Sequence, residues 1–284
     1  MNKVLVTGAT GFVGSYVVEN LVEKGFHVIA SSSNKEKAAS QDWFDKVVFR
    51  EFNLDLFEDT TDYFKLFHEP DFMIHLAWEG LPDYKNDAHI NTYLPRHILF
   101  LKNMISNGLK DMTVTGTCLE YGMQEGCLSE DLPCKPSTAY AFAKNELREE
   151  MVRYSVEMKC SFKWLRLFYM YGKGQHPKSL MSQLEKAIDQ KEKVFNMSGG
   201  EQVRDFLHVN VIAKQIVSIA RQKTFTGIIN CCSGIPISVK DFIQTYLKQR
   251  KKSIQLNLNY YDYTDYEPMK FWGETKRLDK IIKK

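Results

Sequence analysis

The stretch MNKVLVTGATGFVG, residues 1–14, decides how this chain folds. Residues 3–7 are apolar and rich in β-branched side chains, which predicts a buried strand. Gly8, Gly11 and Gly14 follow, and apolar residues then recur at helical spacing. An ordinary strand–helix turn also contains glycines, but a glycine turn in this position lets the backbone approach a pyrophosphate at a helix N-terminus. We therefore predict a dinucleotide-binding turn here.

The composition limits the classes of protein that fit. The 284 residues, 44% of them hydrophobic, suffice for one large α/β domain with a small additional lobe. A formal net charge of +3 is too balanced to predict a nucleic-acid partner. The lysine-rich segment 248–252 and the terminal lysines are expected to be solvated helix ends.

Cysteine usage and hydropathy predict the environment of the protein. Six cysteines without CxxC or zinc-type spacing predict a reducing, cytoplasmic compartment and no metal site. No apolar run has membrane-spanning length, so we expect no membrane association. The first predicted strand starts two residues into the chain, from which we expect no signal peptide.

Predicted strands and helices alternate regularly as far as a fifth strand at 111–116, which is typical of a parallel sheet with helices on both faces. The fold class predicted is α/β, a Rossmann-type doubly wound parallel sheet with a smaller C-terminal substrate lobe. We expect the dinucleotide-binding domain at 1–170, with returning segments from about 203–234. The interleaved substrate lobe would occupy mainly 171–284.

The end of the second predicted strand bears on the choice of cofactor. In NAD-binding folds of this type an acidic residue ends the strand and takes the ribose hydroxyls. Here Ser32, Ser33, Asn34 and Lys35 follow the strand, and no carboxylate is present. Hydroxyl, amide and lysine groups suit a 2′-phosphate, which favours NADP, with NAD as the alternative. The same four residues also fit an ordinary loop that has no role in the choice between NADP and NAD.

Two later stretches contain residues suited to proton transfer. Thr117 lies at the C-terminal end of the fifth strand, where ligands bind in open parallel sheets. Tyr140 and Lys144 are four residues apart and share one face of a helix. An ammonium beside a phenol lowers the tyrosine pKa, so that the phenol exchanges a proton with a carbinol or ketone near neutral pH. Taken alone, this spacing also fits an exposed helical pair.

At these residues the chain resembles an extended short-chain dehydrogenase/reductase, of the nucleotide-sugar epimerase/dehydratase/reductase kind. The resemblance covers nearly the whole chain. The motifs that match are 7–14, Asp55-Leu56, His75-Leu-Ala77, Thr117 with Tyr121-Gly122, Tyr140 with Lys144, Arg166 before Tyr171-Gly172, and Arg204-Asp-Phe-Leu-His-Val209.

The resemblance implies roles for particular residues. Thr117, Tyr140 and Lys144 would form the catalytic triad, and Arg204 would contact the diphosphate of a nucleotide sugar. The substrate would also meet Thr117, Cys118 and Tyr169. The cofactor would be held by Gly8, Thr10, Gly11, Phe12, Val13, Ser32, Ser33, Asn34, Lys35, Asp55, Leu56, Leu76, Ala77, Trp78, Tyr140 and Lys144.

Departures from the family pattern favour one reaction. Dehydratases of this kind usually have Asp-Glu directly after the triad hydroxyl, where this chain has Cys118 and Leu119. Many epimerases have asparagine at the position of Tyr169 and an acidic residue at Ser32. We therefore expect NADPH-dependent reduction of a nucleotide-linked 4-keto-6-deoxysugar at C4, in deoxysugar biosynthesis for surface polysaccharide. The alternatives are a nucleotide-sugar 4-epimerase with bound NAD and a non-catalytic cofactor-binding protein.

By analogy with relatives, the helices at 88–107 and 140–158 are expected to pair across a two-fold axis in a homodimer.

Overall fold

The computed structural model describes residues 2–282. Met1, Lys283 and Lys284 lie outside the described residues, and with them the prediction for the terminal lysines. The first part of the chain alternates strands with helices, as the hydrophobic pattern predicts. In chain order the elements are β1 (Lys3–Thr7), α1 (Phe12–Glu23), β2 (His27–Ser32), α2 (Lys35–Ala39), β3 (Val48–Glu51), α3 (Tyr63–Leu66), β4 (Phe72–His75), α4 (Leu94–Ser106) and β5 (Asp111–Thr117).

The second part is less regular, with several strands of only three residues. In chain order it consists of β6 (Gly126–Leu128), α5 (Ala139–Glu157), β7 (Ser161–Leu167), β8 (Tyr169–Tyr171), α6 (Leu180–Asp189), β9 (Val194–Asn196), β10 (Val203–His208), α7 (Val209–Ala220), β11 (Gly227–Cys231), β12 (Pro236–Ser238), α8 (Val239–Gln249), β13 (Gln255–Asn257), β14 (Phe271–Gly273) and α9 (Lys276–Ile282).

Seven strands form the central sheet, in the order β11-β7-β5-β4-β1-β2-β3. Every neighbouring pair in it is parallel. One core cluster packs α1, α7 and α9 on one face, and a second packs α3, α4 and α5 on the other. The predicted doubly wound parallel sheet is thereby confirmed. Because β1 and β4 are neighbours at the point where the strand order reverses, ligands are expected beyond their carboxyl ends.

The smaller lobe is assembled from separate segments. β12, β10 and β8 form a three-stranded sheet, β13 pairs with β9, and β14 pairs with β6. A third apolar cluster joins α6 and α8 with β9. A fourth, around Tyr121, Phe168 and Phe271, packs the lobe against the end of β5. The lobe is therefore held next to the carboxyl edge of the main sheet.

Three predicted elements differ from the structure. The helix predicted at 88–107 is a π-helical turn, His89–Tyr93, followed by α4, because Pro95 lacks an amide hydrogen and fits in the first turn of α4. The helical pattern of residues 60–68 predicts a longer helix than the single turn of α3 that forms. The alternating apolar and polar residues at 254–261 predict a half-exposed strand, but only the three-residue β13 forms, since the following residues form turns.

Candidate active site

The glycine turn after β1 is shaped so that side chains are excluded from it. Gly8 has φ +68°, and a Cβ there would lie 2.7 Å from the backbone nitrogen of Ala77. A Cβ on Gly14 would lie 2.0 Å from the carbonyl oxygen of Gly8. Gly11 is the N-cap of α1 and offers no side-chain cap, so the first N–H groups of the helix remain available to an anion. The turn fits the pyrophosphate of a dinucleotide.

The predicted adenosine side lies at the ends of β2 and β3. The hydroxyls of Thr10 and Ser32 are 2.6 Å apart, and Ser32 Oγ also accepts a hydrogen bond from the backbone of Asn34. Asn34 in turn caps α2 through its side-chain oxygen. Ser33 and Lys35 are exposed beside them. This edge therefore presents hydroxyl, amide and ammonium groups, as predicted.

The second predicted adenosine contact is a carboxylate that already has a partner. Asp55 and Leu56 lie in a short 3₁₀ turn after β3, and the Asp55 carboxylate pairs with Arg96 of α4. Leu56 is exposed. Glu51, which sequence reasoning did not single out, pairs with Ser32 in the register of β3 against β2. One carboxylate therefore lies on the strand next to the hydroxyl edge.

A cavity of about 660 Å³ opens at the carboxyl edge of the main sheet. It brings together predicted residues from the glycine turn, the segment after β4, the end of β5, α5 and β8. Among those predicted, the lining residues are Phe12, Val13, Leu76, Trp78, Thr117, Cys118, Tyr140, Lys144 and Tyr169. Residues not predicted from the sequence also line it, namely Tyr84, Gln175, His176, Lys178, Ser179, Tyr266 and Glu267.

The three proposed catalytic side chains converge in this cavity. The amide of Tyr140 donates to the carbonyl of Tyr84 at 3.0 Å, which fixes the first turn of α5 beneath the cavity. Lys144 Nζ donates to the carbonyl of Thr115 at 2.9 Å and lies 4.1 Å from the centre of the Trp78 ring. Tyr140 and Lys144 are both buried and both face the mouth of the sheet.

The predicted effect of Lys144 on the Tyr140 phenol is wrong for this structure. Burial raises the pKa of Tyr140, and the charges of Tyr84 and Glu120 raise it further, whereas hydrogen bonding with Thr117 opposes the shift. Burial also lowers the pKa of Lys144 to about 7. The reason is desolvation, which disfavours the charged form of each group. Tyr140 is therefore a protonated phenol, ready to donate.

Glu120 is a positioning residue that the sequence analysis did not identify. Its fully buried carboxylate accepts hydrogen bonds from the backbone of Thr117 at 2.8 Å, from Trp164 Nε1 at 3.0 Å and from Arg166 Nε at 2.8 Å. The arginine balances the buried charge, and three donors satisfy the carboxylate oxygens. Glu120 with these three donors, called the Glu120 hub below, fixes the Thr117 backbone and with it the orientation of the Thr117 hydroxyl.

Four side chains, of which Thr7, His75 and His97 are buried, form a hydrogen-bonded line beneath the segment after β4. Glu79 meets His97 Nε2 at 3.0 Å, His97 Nδ1 meets His75 Nε2 at 2.8 Å, and His75 Nδ1 meets Thr7 Oγ1 at 2.7 Å. Burial lowers the pKa of both histidines, so each ring has one donor and one acceptor nitrogen. With a carboxylate at one end, every proton in the line points toward Glu79. His75 is thus a packed strand-end residue.

Arg204 occupies a different place from the one expected of a diphosphate ligand. Its side chain is 4% exposed and does not line the cavity. Nη1 donates to the carbonyls of Val203 and Met269, and Nη2 meets Glu267 Oε2 at 3.1 Å. The guanidinium also lies over the Phe271 ring at 4.6 Å. Arg204 therefore binds the C-terminal segment of the lobe, and Glu267 is the charged group of this pair that reaches the cavity.

Some of the missed residues had a sequence signal and others had none. Glu120 and Arg166 are opposite charges inside two apolar stretches, a pattern that indicates a buried ion pair. Tyr84, Tyr266 and Glu267 lie in polar loops far apart in the chain, and no local pattern marks them. Lys85 pairs with Asp265 at 2.8 Å, which draws those two loops together at the mouth of the cavity.

Two kinds of feature are absent from residues 2–282. No cluster of three or more histidine, cysteine or acidic side chains in this range is arranged to hold a metal ion. In the same range, no helix combines the length and the apolar character needed to cross a bilayer.

Known proteins resemble this chain over almost its full length. It is 30% identical over 279 residues to a dTDP-6-deoxy-L-talose 4-dehydrogenase (NAD(+)) of Aggregatibacter actinomycetemcomitans, covering 95% of this chain and 99% of that protein. It is 26% identical to a GDP-6-deoxy-D-talose 4-dehydrogenase of the same organism, over 90% of this chain and 83% of that protein.

A solved structure and a family model complete the comparison. UDP-N-acetylglucosamine 4-epimerase from Methanobrevibacter ruminantium M1, in complex with UDP-N-acetylmuramic acid, superposes with a TM-score of 0.86 at 21% identity, covering 99% of this chain and 92% of that one. This likeness supports the fold. The model of the NAD dependent epimerase/dehydratase family matches residues 4–232. With most of the chain matched, the protein belongs to the NAD dependent epimerase/dehydratase family, as an extended short-chain dehydrogenase/reductase enzyme.

Proposed function

We propose that this enzyme reduces a nucleotide-linked 4-keto-6-deoxysugar at C4, with NADPH as the preferred cofactor, in deoxysugar biosynthesis for surface polysaccharide. The observation that carries the proposal is the convergence of Thr117, Tyr140 and Lys144 in one cavity. The two residues that follow Thr117 in the chain, Cys118 and Leu119, have no carboxyl group. Two relatives named above act as 4-dehydrogenases on 6-deoxytalose nucleotides, which is hydride chemistry at the same sugar carbon.

Tyr140, Thr117 and Lys144 each have a separate role in the proposed reduction. A bound nicotinamide supplies the hydride, and the protein provides the proton and the orientation. The Tyr140 phenol donates a proton to the oxygen at C4 as negative charge develops there. The Thr117 hydroxyl donates a hydrogen bond to that oxygen, and the Glu120 hub fixes the backbone from which it does so. Lys144 holds the ribose of the cofactor and contributes positive charge when protonated.

The protonation state of Tyr140 agrees with the reductive direction. Burial raises the pKa of Tyr140, which keeps the phenol protonated at neutral pH. Reduction of a ketone requires an acid in that position, whereas oxidation of an alcohol requires a base. The absence of a second acid–base group at Cys118 and Leu119 counts against elimination of water, which needs such a pair.

Support for the cofactor comes from the end of β2. Ser32 and Thr10 form a hydroxyl pair there, next to exposed Ser33 and Lys35. These groups suit a 2′-phosphate better than a carboxylate would. NAD is the second candidate, because Glu51 lies in register with Ser32 and because one relative is named with NAD(+).

The test is turnover with defined substrates. Purified protein is mixed with the 4-keto-6-deoxyhexose of dTDP, GDP or CDP and with NADPH or NADH, and loss of reduced-cofactor absorbance is followed. We expect loss with at least one of these sugars, faster with NADPH. No loss with any combination would reject the reductase. Protein that instead purifies with bound NAD and interconverts two nucleotide hexoses without net redox change would be the 4-epimerase.

A further inference from the structure

This inference rests on the proposed function and concerns which sugar the site accepts. Among the described residues that line the cavity, one carries a carboxylate, and it is Glu267. It neighbours Tyr84, Tyr169 and Cys118 closely enough for its charge to raise the pKa of each of them. Because Cys118 directly follows the triad hydroxyl, Glu267 lies within reach of the ring that carries the reacting carbon.

The carboxylate is held in place from behind. Arg204 meets one of its oxygens at 3.1 Å, while carbonyls of Val203 and Met269 fix the guanidinium at 2.9 and 3.1 Å. The Glu267 side chain is itself 14% exposed. Because the Arg204 guanidinium is held by backbone carbonyls and the Glu267 carboxylate is partly exposed, Glu267 is the member of the pair that a ligand in the cavity can contact. Lys178 and His176, which line the loop side of the cavity, are cationic or titratable groups suited to a diphosphate.

The chemistry of a carboxylate at this place is selective. An ionised carboxylate only accepts hydrogen bonds, so it suits the hydroxyl groups of a neutral hexose. The carboxylate of a hexuronic acid would meet a like charge in a partly desolvated site. We propose that Glu267, fixed by Arg204, is a specificity-determining residue that binds hydroxyls of a neutral nucleotide-linked hexose and excludes a nucleotide-linked uronic acid.

Equilibrium binding tests this proposal without turnover. Titration calorimetry with dTDP, dTDP-glucose and dTDP-glucuronic acid compares the wild type with Glu267→Gln. We expect the wild type to bind dTDP-glucose about tenfold or more tightly than dTDP-glucuronic acid, since a charge-assisted hydrogen bond is involved. In the variant, affinity for dTDP-glucose falls about tenfold, the preference over the uronic acid shrinks, and affinity for dTDP is unchanged.

A matched control and a second variant keep the test decisive. Asp262→Asn removes an equal charge five residues away on the same segment, where the residue is exposed and does not line the cavity. It should leave all three affinities unchanged. If Glu267→Gln does not fold, Glu267→Asp replaces it, and this variant should weaken dTDP-glucose while still rejecting the uronic acid.

Several results would overturn the proposal. These are equal wild-type affinity for the neutral and acidic sugars, an unchanged preference in Glu267→Gln, an unchanged dTDP-glucose affinity in Glu267→Asp, and a change in dTDP affinity as large as that for dTDP-glucose. The last result would place the Arg204–Glu267 pair at the diphosphate. Because binding is measured without hydride transfer, the preference can hold while the reductase assay fails, and the reverse, so the two failures are distinguishable.

Discussion

The glycine turn at 7–14 and the wall formed by Tyr84, Tyr169, Tyr266 and Glu267 border the same cavity, but the chain builds them in different ways. The turn is one contiguous segment whose geometry follows from missing side chains. The wall is assembled from three distant segments held by an ion pair and aromatic contacts. The turn proposed for the pyrophosphate is thus local in sequence, whereas the wall proposed for sugar selection depends on tertiary packing. Substitutions in the two regions should therefore affect cofactor binding and sugar binding separately.

Tyr140→Phe, at the junction of the two regions, should have the largest effect. Removing the phenol hydrogen removes the proposed acid, and the rate of reduction should fall by about 10²- to 10⁴-fold. Binding of cofactor and of sugar nucleotide should change little, because the ring remains. Steady-state kinetics together with calorimetry measure both.

The matched control for that variant is Tyr154→Phe on the same helix. Its hydroxyl meets Ser106 Oγ at 2.6 Å, away from the cavity, so activity should be near that of the wild type. Retention of more than a tenth of the activity by Tyr140→Phe would contradict the assignment of Tyr140 as the acid.

Gly14→Val should break the cofactor region alone. The new Cβ would lie 2.0 Å from the Gly8 carbonyl oxygen, so the turn has to move. We expect destabilisation of about 1–3 kcal/mol and loss of measurable cofactor binding, with dTDP binding retained. Gly126→Ala is the control: with φ +89° it is strained as well, but no atom lies within 4 Å of its new Cβ and it does not line the cavity, so cofactor binding should be retained. Cofactor binding at wild-type affinity in Gly14→Val would show that the turn does not hold the pyrophosphate.

The buried lysine predicts a pH dependence of stability. The folded-state pKa of Lys144 is lowered to about 7 from an ordinary value of 10.5, so the unfolded chain binds more protons between those values. Stability should therefore rise with pH in this window, by up to about 1.4 kcal/mol per pH unit from this group. Denaturant unfolding of the wild type and Lys144→Met, compared at several pH values, isolates the effect. A constant difference between them from pH 7 to pH 9 would contradict it.

Ser32→Asp should have the smallest effect, confined to the choice of cofactor. A carboxylate at the end of β2 repels a 2′-phosphate and accepts ribose hydroxyls. The ratio of NADPH to NADH affinity should fall about tenfold or more, the value of one like-charge contact of about 1.4 kcal/mol. Ser40→Asp, at the exposed C-terminal end of α2, is the control. Unchanged preference in Ser32→Asp would make Glu51 the residue to test next.

The outcome of sequence reasoning follows the same division. The parallel sheet, the glycine turn and the convergence of Tyr140 with Lys144 depend on local periodicity and spacing, and each has a signal within a few residues. The direction of the Tyr140 pKa was predicted wrongly, because the sequence shows a lysine four residues away but not the burial that raises the pKa of the phenol. Glu267 had no signal at all, since its place in the cavity is set by Arg204, more than sixty residues earlier in the chain.

Transfer of an isotopic label tests directly whether the enzyme moves hydride from the reduced cofactor to C4 of the sugar. Wild-type enzyme is incubated with a dTDP-4-keto-6-deoxyhexose and reduced cofactor deuterated at the transferring carbon, and the sugar is analysed by NMR and mass spectrometry. We expect a 6-deoxyhexose product with one deuterium at C4, formed in an amount equal to that of the oxidised cofactor. A product without deuterium at C4, or an altered sugar with no cofactor consumed, would contradict it.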